Sequence, residues 1–270
     1  MNFMDVSILI VHYNIPGLLR QTLKGIRRAK PALSYEVIVV DNNPGFRISD
    51  ELKEEFSEVK WILNDKNSGF GAGMNLAMKH ANGEYFLIYN PDIILKEGTL
   101  ETLHDFMKEN STVGIVGPKL VNPDGSLQHS CYRFMKPEMI LYRRVPLLNK
   151  LPFAKKSIDS YVMKDWDHST VSNVDYLLGA ALFVRASAVK DVGPFDENFF
   201  MYFEDQDWCR RFWEAGYRVV YLPKAECIHY HRRETAEGSF LAQLFNPLTR
   251  IQIKSALYYY KKYRKKEILK

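Results

Sequence analysis

The stretch YFLIYNPD at residues 85–92 decides the fold, because it joins a short apolar strand to an acidic turn. A second acidic cluster, residues 204–207, also follows an aromatic run. Carboxylates at the ends of buried runs are costly unless they bind a cation, a hydrogen-bond donor or a reacting group. Asn-Pro-Asp is also an ordinary turn sequence, so neither cluster is decisive alone. Together they predict one site that holds a metal-bound diphosphate and a general base.

Around this stretch, short apolar runs alternate with amphipathic segments. Strands are predicted at residues 6–11, 36–40, 59–63 and 85–89. Helices are predicted at residues 16–29, 49–56, 70–81 and 100–107. The alternation indicates an α/β fold with a mostly parallel, Rossmann-like central sheet and helices on both faces.

Polar side chains and glycines lie where these strands end, which is where ligands bind in parallel sheets. The candidates for ligand binding here are His12, Asn14, Asp41, Asn43, Asn67, Gly71, Asn75, Asn90 and Asp92. The carboxylate of Asp41 suits a nucleotide base or ribose, and it equally suits a turn. Residues 67–75 form a glycine-rich turn that opens a helix and favours phosphate, but the lysine of a P-loop is missing. On the local sequence alone, a tight loop that needs glycine explains residues 67–75 better than a phosphate site does.

The second half of the chain is less regular. Strands are predicted at residues 114–120, 175–185 and 219–222, and a helix at 205–215. The strand at 175–185 crosses the site and is interrupted by Gly179 and Ala180. Residues 121–172 carry two proline-bearing, basic and aromatic stretches, which we interpret as irregular and as the side of the site that binds an acceptor.

Composition limits the class of protein. The 270 residues are 46% hydrophobic, which is typical of a folded globular chain. The three cysteines are far apart with no CxxC, which argues against a disulfide framework or a zinc site and fits a reducing compartment. The sequence shows no signal peptide and no apolar run of membrane-spanning length, so we expect a soluble, cytoplasmic protein, free or peripheral at the inner face of the membrane.

The positive charge is concentrated at the C-terminus. Residues 254–270 carry seven basic side chains and one acidic side chain. Asn246-Pro247 predicts the start of a helix that runs to about residue 266 and is rich in tyrosine and lysine. Such a helix could lie on an anionic membrane or dock on the domain, and no motif indicates nucleic-acid binding. We therefore divide the chain into a catalytic domain, residues 1–235, and a basic helical extension, residues 236–270.

Three side chains are the main candidates for chemistry. Glu204 and Asp205 are adjacent carboxylates in a partly apolar setting, which should raise the pKa of one of them and suits a base, although acidic residues also cap helices. His229 follows a short apolar stretch and is, in equal measure, a metal ligand or a structural histidine.

In their order and spacing, these motifs resemble family 2 glycosyltransferases with the GT-A fold, and among them the bacterial rhamnosyltransferase-like branch. The resemblance covers about residues 6–235. It rests on residues 6–14 (VSILIVHYN), 39–43 (VVDNN), 67–75, 90–92 (NPD), 179–180, 192–197 (VGPFDE), 199–210 and 223–229.

The resemblance implies an inverting transfer of a sugar, rhamnose from dTDP-rhamnose, to a hydroxyl of a lipid-linked or cell-surface polysaccharide acceptor. Asp41 would contact the nucleotide base. Asp92 would hold Mg²⁺ or Mn²⁺ on the diphosphate, and His229 would complete that site. Asp205 would be the general base, and Glu204 would orient it or shape the acceptor pocket. The remaining candidates listed above, together with Gly179 and Ala180, would bind the donor.

The chain departs from the family pattern at three places. Asn90 stands where the first aspartate of a DxD motif is usual, Pro194 replaces a glycine, and residues 231–233 add positive charge. Three alternatives stay open: a transferase that uses another sugar nucleotide such as a UDP-hexose, a nucleotidyltransferase that makes an activated sugar, and a non-catalytic scaffold that binds nucleotide sugars. The glycine-rich element expected after the first strand of a nucleotidyltransferase is missing, since His12-Tyr13-Asn14 stands there.

Overall fold

The structure is a computed structural model that describes residues 4–145, 147–230 and 246–264. Its strands are β1 (Met4–His12), β2 (Tyr35–Asp41), β3 (Lys60–Leu63), β4 (Gly83–Tyr89), β5 (Ile93–Leu95), β6 (Val113–Val121), β7 (Leu127–Gln128), β8 (Cys131–Tyr132), β9 (Ser172–Asn173), β10 (Tyr176–Leu177), β11 (Ala181–Arg185) and β12 (Arg218–His229). Its α-helices are α1 (Pro16–Ala29), α2 (Asp50–Glu55), α3 (Phe70–Met78), α4 (Thr99–Glu109), α5 (Glu138–Arg144), α6 (Pro152–Tyr161), α7 (Ala186–Val192), α8 (Glu204–Glu214) and α9 (Pro247–Tyr263).

The central sheet has the order β3-β2-β1-β4-β11-β6-β12-β5. The first four strands in this order are parallel, as the alternation of apolar runs and helices predicts. Strand β11 lies antiparallel between β4 and β6. The parallel half therefore ends at β4, and Asn90 directly follows the last strand of that half.

The two faces of the sheet bury separate cores, because successive side chains of a strand point to opposite faces. Ile8 and Ile10 of β1 face one core, in which α1 buries Leu19 and Leu23. Leu9 of β1 faces the other, which is built with α3, α7 and α8. Burial of both faces explains why these strands read as continuous apolar runs.

One prediction for the second half of the chain was wrong, and one strand is longer than predicted. Residues 121–172 are not irregular, since they contain α5, a 3₁₀ turn at Leu148–Lys150 and α6. Pro152 occupies the first turn of α6, where the lack of an N–H costs nothing, so this proline starts a helix. The strand predicted at 219–222 continues to His229, with a shift of register between Leu222 and Glu226 that accommodates Pro223.

Helix α9 packs against the segment that precedes α8. Ala256, Tyr259 and Tyr263 form a buried cluster with Phe199 and Phe203. The tyrosine face therefore docks on the domain, which was the alternative to membrane binding for this face. The boundary predicted at residue 235 and the end of the basic tail lie outside the described residues. Among those residues, no helix is long and apolar enough to cross a membrane.

A buried ion-pair network connects α9 to α8. Lys262 Nζ donates to Asp196 Oδ2 and to Asp207 Oδ1, both at 2.6 Å, and the Tyr263 hydroxyl donates to Asp207 Oδ1 at 2.8 Å. Burial alone would raise the pKa of Asp196, but hydrogen bonds from Lys262, Asn198 and Tyr258 outweigh it and lower that pKa to about 2. Asp207 is thus an anchor for α9 and not part of the chemistry.

Lys262→Met should lower the free energy of unfolding by about 2 kcal/mol, because it leaves the buried Asp207 with one fewer charged partner. Urea denaturation measures this loss. Lys261→Met is the matched control: that lysine is exposed on the same helix, and its replacement should change stability by less than about 0.5 kcal/mol. Equal losses in the two variants would mean that the network does not hold α9 in place.

Candidate active site

A cleft of about 870 Å³ opens where β4, β11 and β12 meet the start of α8. The predicted residues that line it are Asn90, Gly179, Ala180, Glu204, Asp205 and His229. These residues come from four separate parts of the chain. The structure therefore brings Asn90 of the first cluster and Glu204 and Asp205 of the second to one cleft, while Asp92 does not line it.

A path of hydrogen bonds joins the end of β4 to the start of α8. The Asn90 N–H donates to the Ala180 carbonyl at 2.9 Å, and the Gly179 N–H donates to Asp205 Oδ2 at 2.9 Å. Asp205 Oδ1 accepts a further hydrogen bond, of 2.8 Å, from the Gln206 N–H. The Asp205 carboxylate is thereby fixed in orientation at the helix N-terminus.

Burial gives Asp205 the character of a base. It raises the pKa of the Asp205 carboxyl, and the N–H groups of Gly179 and Gln206 oppose this only in part. A carboxylate with a raised pKa takes up a proton more readily than an exposed one, which is what a general base requires.

Glu204 is buried beside Asp205, but its carboxyl group lacks the two N–H donors that hold the Asp205 carboxylate. Burial, and next the charge of Asp205, raise the pKa of Glu204 well above its usual value. Within the described residues, Glu204 Oε2 has no hydrogen-bond partner. The environment favours the protonated acid, so Glu204 can donate a hydrogen bond into the cleft while Asp205 accepts one.

The two residues before α8 have a strained backbone. Tyr202 and Phe203 have φ values of 70° and 69°, in the left-handed region that side chains other than glycine rarely adopt. Phe203 packs at 5.5 Å from the ring of Tyr259 in α9. Such strain persists only where surrounding contacts hold it, and it concentrates at functional sites.

Asp92 and His229 face each other at the same edge of the sheet. The pairing of β5 with β12 sets Ile93 opposite His229, and the Tyr230 N–H donates to the Asp92 carbonyl at 2.9 Å. His229 Nε2 then lies 3.3 Å from Asp92 Oδ1. His229 Nδ1 lies 2.6 Å from the amide oxygen of Gln128, and must therefore carry a proton that it donates.

This geometry fits a divalent cation. With its proton on Nδ1, the His229 ring directs Nε2 at a carboxylate oxygen, which is the arrangement of two ligands that share a cation. Within the described residues, Asp92 Oδ1 and Asn90 Oδ1 are buried and have no hydrogen-bond partner. Mg²⁺ and Mn²⁺ suit oxygen-rich sites that substrate phosphates complete. Among the described residues, no three acidic, histidine or cysteine side chains are placed to hold a metal ion together, so such substrate oxygens would be required.

The predicted site residues at the ends of β1 and β2 make hydrogen bonds to the loops that follow these strands. Asp41 is 1% exposed, and its carboxylate accepts hydrogen bonds from the N–H groups of Asn43 and Ile48. His12 Nε2 accepts from the Ile15 N–H at 3.1 Å, and burial lowers the pKa of His12, although the charge of Asp41 opposes this. Asn14 is exposed. None of these described residues lines the cleft, and their contacts with a donor stay predictions.

The glycine-rich segment packs against the chain that precedes α8. Both amide hydrogens of Asn75 are donated, to the Phe195 carbonyl and to Glu197, and its oxygen accepts from the Phe195 N–H. Gly69 has φ 85°, and a Cβ there would lie 2.1 Å from the Phe200 carbonyl oxygen. Packing thus accounts for these residues without a phosphate, and the predicted donor contacts of Asn67, Gly71 and Asn75 remain untested by the geometry.

Sequence reasoning missed an aromatic wall of the cleft. Tyr132 stacks on Tyr161 at 5.0 Å and on Tyr176 at 5.2 Å, and the hydroxyls of Tyr161 and Tyr176 are hydrogen-bonded to each other. All three line the cleft, as do Gln128 and Arg143. For Tyr132 and Tyr161 the signal was the basic and aromatic composition of residues 121–172, whereas no motif pointed to Gln128 and Tyr176 lies outside that segment.

A sequence profile described as glycosyl transferase family 2 matches residues 7–161, which is more than half of the chain. The chain belongs to this family. A second profile, described as glycosyl transferase family group 2, matches residues 94–245. The protein is therefore a glycosyltransferase, as the resemblance in its motifs implied.

Among curated proteins, the chain is 27% identical over 212 residues to an N-acetylglucosaminyl-diphospho-decaprenol L-rhamnosyltransferase of Mycobacterium tuberculosis, covering 74% of this chain and 67% of that protein. It is 26% identical over 249 residues to rhamnosyltransferase WbbL of Escherichia coli, and the match covers 89% of this chain and 88% of that protein. These similarities confirm the rhamnosyltransferase-like branch of the family.

Solved structures confirm the GT-A fold. GalNAc-T7, solved with UDP, GalNAc and Mn²⁺, superposes with a TM-score of 0.64 at 14% identity over 97% of this chain and 49% of that one. S. aureus TarS 1–349 with UDP superposes with a TM-score of 0.57 at 21% identity, over 83% of this chain and 60% of that one. The chain spans less than two thirds of either protein.

Glu204→Gln should make stability less dependent on pH. Because the pKa of Glu204 is raised in the folded state, its protonated form stabilises the fold below the unfolded-state pKa of about 4.5, and that contribution is lost as pH rises through the folded-state pKa. Glutamine imitates the protonated acid, so the variant should gain about 1 kcal/mol or more over the wild type at about pH 8 and little at about pH 4.

Urea denaturation across this pH range measures the difference between the two proteins. Glu109→Gln, at an exposed position of α4, is the control and should give the same small difference at every pH. A difference for Glu204→Gln that does not vary with pH would show that Glu204 is ionised in the folded protein.

Proposed function

We propose that this glycosyltransferase transfers rhamnose from dTDP-rhamnose to a hydroxyl of a lipid-linked or polysaccharide acceptor, with inversion and with a divalent cation. The observation that carries the proposal is the pair of adjacent carboxylates, buried Glu204 and partly buried Asp205, in a cleft that His229 and Asn90 also line. One base and one cation site at opposite ends of the reacting bond suit a single displacement.

In the proposed reaction, Asp205 Oδ accepts the proton of the acceptor hydroxyl. The acceptor oxygen forms a bond to the anomeric carbon as the bond from that carbon to the diphosphate oxygen breaks, so the electron pair leaves with the nucleoside diphosphate. The Gly179 N–H keeps the carboxylate aligned during this step. Glu204, held protonated by burial, donates a hydrogen bond that orients the acceptor.

The cation would be held by Asp92 Oδ1 and His229 Nε2, and Gln128 would fix the ring tautomer of the histidine. When bound, it would supply positive charge that stabilises the leaving diphosphate. Structures of GalNAc-T7 and of a Pyrobaculum calidifontis mannosyltransferase, both solved with Mn²⁺, support a divalent ion in this fold.

The nucleotide, sugar and acceptor are proposed from the relatives. Two relatives are named rhamnosyltransferases, and one of them is named for a decaprenol diphosphate acceptor. A UDP-hexose is the alternative donor, because TarS was solved with UDP-GlcNAc. The tyrosines that line the cleft support a sugar acceptor, since aromatic side chains give a sugar ring an apolar contact.

Asp205→Asn should lower kcat by about 10²–10⁴-fold, because asparagine cannot accept the proton of the acceptor. Binding of the donor, measured by calorimetry, should be unchanged, since the Asn oxygen can still accept from the Gly179 N–H. Asp105→Asn, at an exposed position of α4, controls for the loss of a carboxylate elsewhere. A kcat like that of the wild type would remove Asp205 from the role of base.

A panel of sugar nucleotides, each with and without Mn²⁺, tests the donor and the cation together. We expect dTDP-rhamnose with Mn²⁺ to raise the Tm most, because a ligand that binds only the folded state stabilises it. Asp92→Ala should abolish the part of this shift that depends on Mn²⁺ and leave the Tm without ligand nearly unchanged. A larger shift with UDP-glucose would replace the proposed donor, and a metal response that survives in Asp92→Ala would refute the cation site.

A further inference from the structure

The segment of residues 136–156, here called the basic hairpin, presents an unusual surface. It comprises α5, the 3₁₀ turn and the start of α6. Its exposed apolar side chains are Leu141 (58% exposed), Leu147 (81%), Leu151 (38%) and Phe153 (57%). Four of the thirteen exposed large apolar side chains of the described residues thus fall within 13 residues of sequence, and a concentration of exposed apolar side chains is typical of an interaction site.

The basic hairpin is also strongly positive, as is the C-terminal segment of residues 254–270. It has six basic side chains and one acidic side chain, a net charge of +5. The rest of the chain has 31 basic and 31 acidic side chains and is neutral overall. Lys150, Lys155 and Lys156 are exposed beside the apolar residues. Apolar tips with a lysine-rich border are typical of elements that lie in the interface of an anionic membrane.

The position of the basic hairpin connects this surface to the active site. Arg143 and Asn149 line the cleft that contains Asp205, and so does Tyr161 at the end of α6. The Arg143 guanidinium lies 5.5 Å from the centroid of the Tyr161 ring. A surface bound to the exposed side of the hairpin would therefore lie at the edge of the cleft.

We propose that the basic hairpin docks on an anionic lipid bilayer and holds the cleft at the membrane surface, where a lipid-linked acceptor can enter. The inference rests on the proposed function for the nature of that acceptor. A protein partner fits less well, since lysine is depleted in protein–protein interfaces whereas here it alternates with the apolar side chains. Leu147 and Phe153 insert among the lipid headgroups, and the lysines contact anionic phosphates.

The sequence left open whether the C-terminal helix lies on an anionic membrane or docks on the domain. Tyr259 and Tyr263 are buried against the domain. Ile140 of the basic hairpin packs against the same cluster, so α5 and α9 are neighbours. The outward side chains of α9 include Ile253 and Leu257. They form a second surface that can be tested separately.

Sedimentation of the full chain with vesicles tests the apolar contact. We expect binding to vesicles of phosphatidylcholine mixed with phosphatidylglycerol, and little binding to phosphatidylcholine alone. Leu147→Ser/Phe153→Ser should weaken the binding roughly tenfold or more, because two large apolar side chains are lost from the interface. Leu63→Ser, at a position 52% exposed on the edge strand β3, is the matched control and should bind like the wild type.

A second variant tests the contact between the lysines of the basic hairpin and anionic lipid. Lys155→Glu/Lys156→Glu should lose at least roughly fivefold in binding for each lysine, and the binding of the wild type should fall as salt is added. Lys79→Glu/Lys190→Glu changes the net charge equally at exposed positions elsewhere and should have a much smaller effect. Far-UV circular dichroism and the Tm confirm that every variant is folded, which is expected for substitutions of exposed side chains.

Three results would overturn the proposal. The first is equal sedimentation of the wild type with both kinds of vesicle. The second is unchanged binding of both hairpin variants. The third is loss of binding in Ile253→Ser/Leu257→Ser alone, which would place the contact on α9. Hydrolysis of the donor in the absence of vesicles should be the same in the hairpin variants and the wild type. If the wild type uses no sugar nucleotide, the proposed function fails, while the sedimentation result still decides the membrane contact.

Discussion

The hydrogen bond from the Gly179 N–H to Asp205 Oδ2 is the interaction on which the site depends. Gly179 directly precedes Ala180, whose carbonyl accepts from Asn90 at the end of β4. One short path therefore fixes the acidic turn after the parallel strands relative to the acidic start of α8. These two elements are more than 100 residues apart in the chain, so only the insertion of β11 beside β4 brings them together.

The same region contains the most costly features of the fold. Two successive left-handed residues, Tyr202 and Phe203, cost on the order of 2 kcal/mol together, and a buried Glu204 adds a desolvation penalty. Helix α9 supplies contacts that offset this cost: Tyr259 packs on Phe203, and Lys262 bridges Asp196 and Asp207. The C-terminal helix thus acts on the geometry of the site although it contributes no carboxylate to the cleft.

The sequence predicted the parallel half of the fold well, because each strand there is a continuous apolar run and each helix has a clear periodicity; α1 has the predicted bounds of residues 16–29. It also placed Asn90, Glu204, Asp205 and His229 in one site because each follows an apolar or aromatic run, and all four line one cleft. The same signal selected His12 and Asp41, which do not line it. It failed for α5 and α6, because prolines that start helices resemble prolines in loops. The contacts of Asn75 with Phe195 were beyond it, since no local pattern indicates a partner 120 residues away.

The two sides of the cleft are built from different kinds of structure, and this has a consequence for specificity. The side with Asn90 and His229 is formed by strand ends within the central sheet, whose position many paired residues fix. The opposite side is formed by α6 and the tyrosine wall, where the hydroxyl contact between Tyr161 and Tyr176 joins the end of α6, the helix that begins in the basic hairpin, to β10. A force on the hairpin, such as contact with a bilayer, would reach the acceptor side through that contact and leave the strand ends in place. We therefore expect recognition of the acceptor, rather than of the donor, to respond to the surface on which the protein lies.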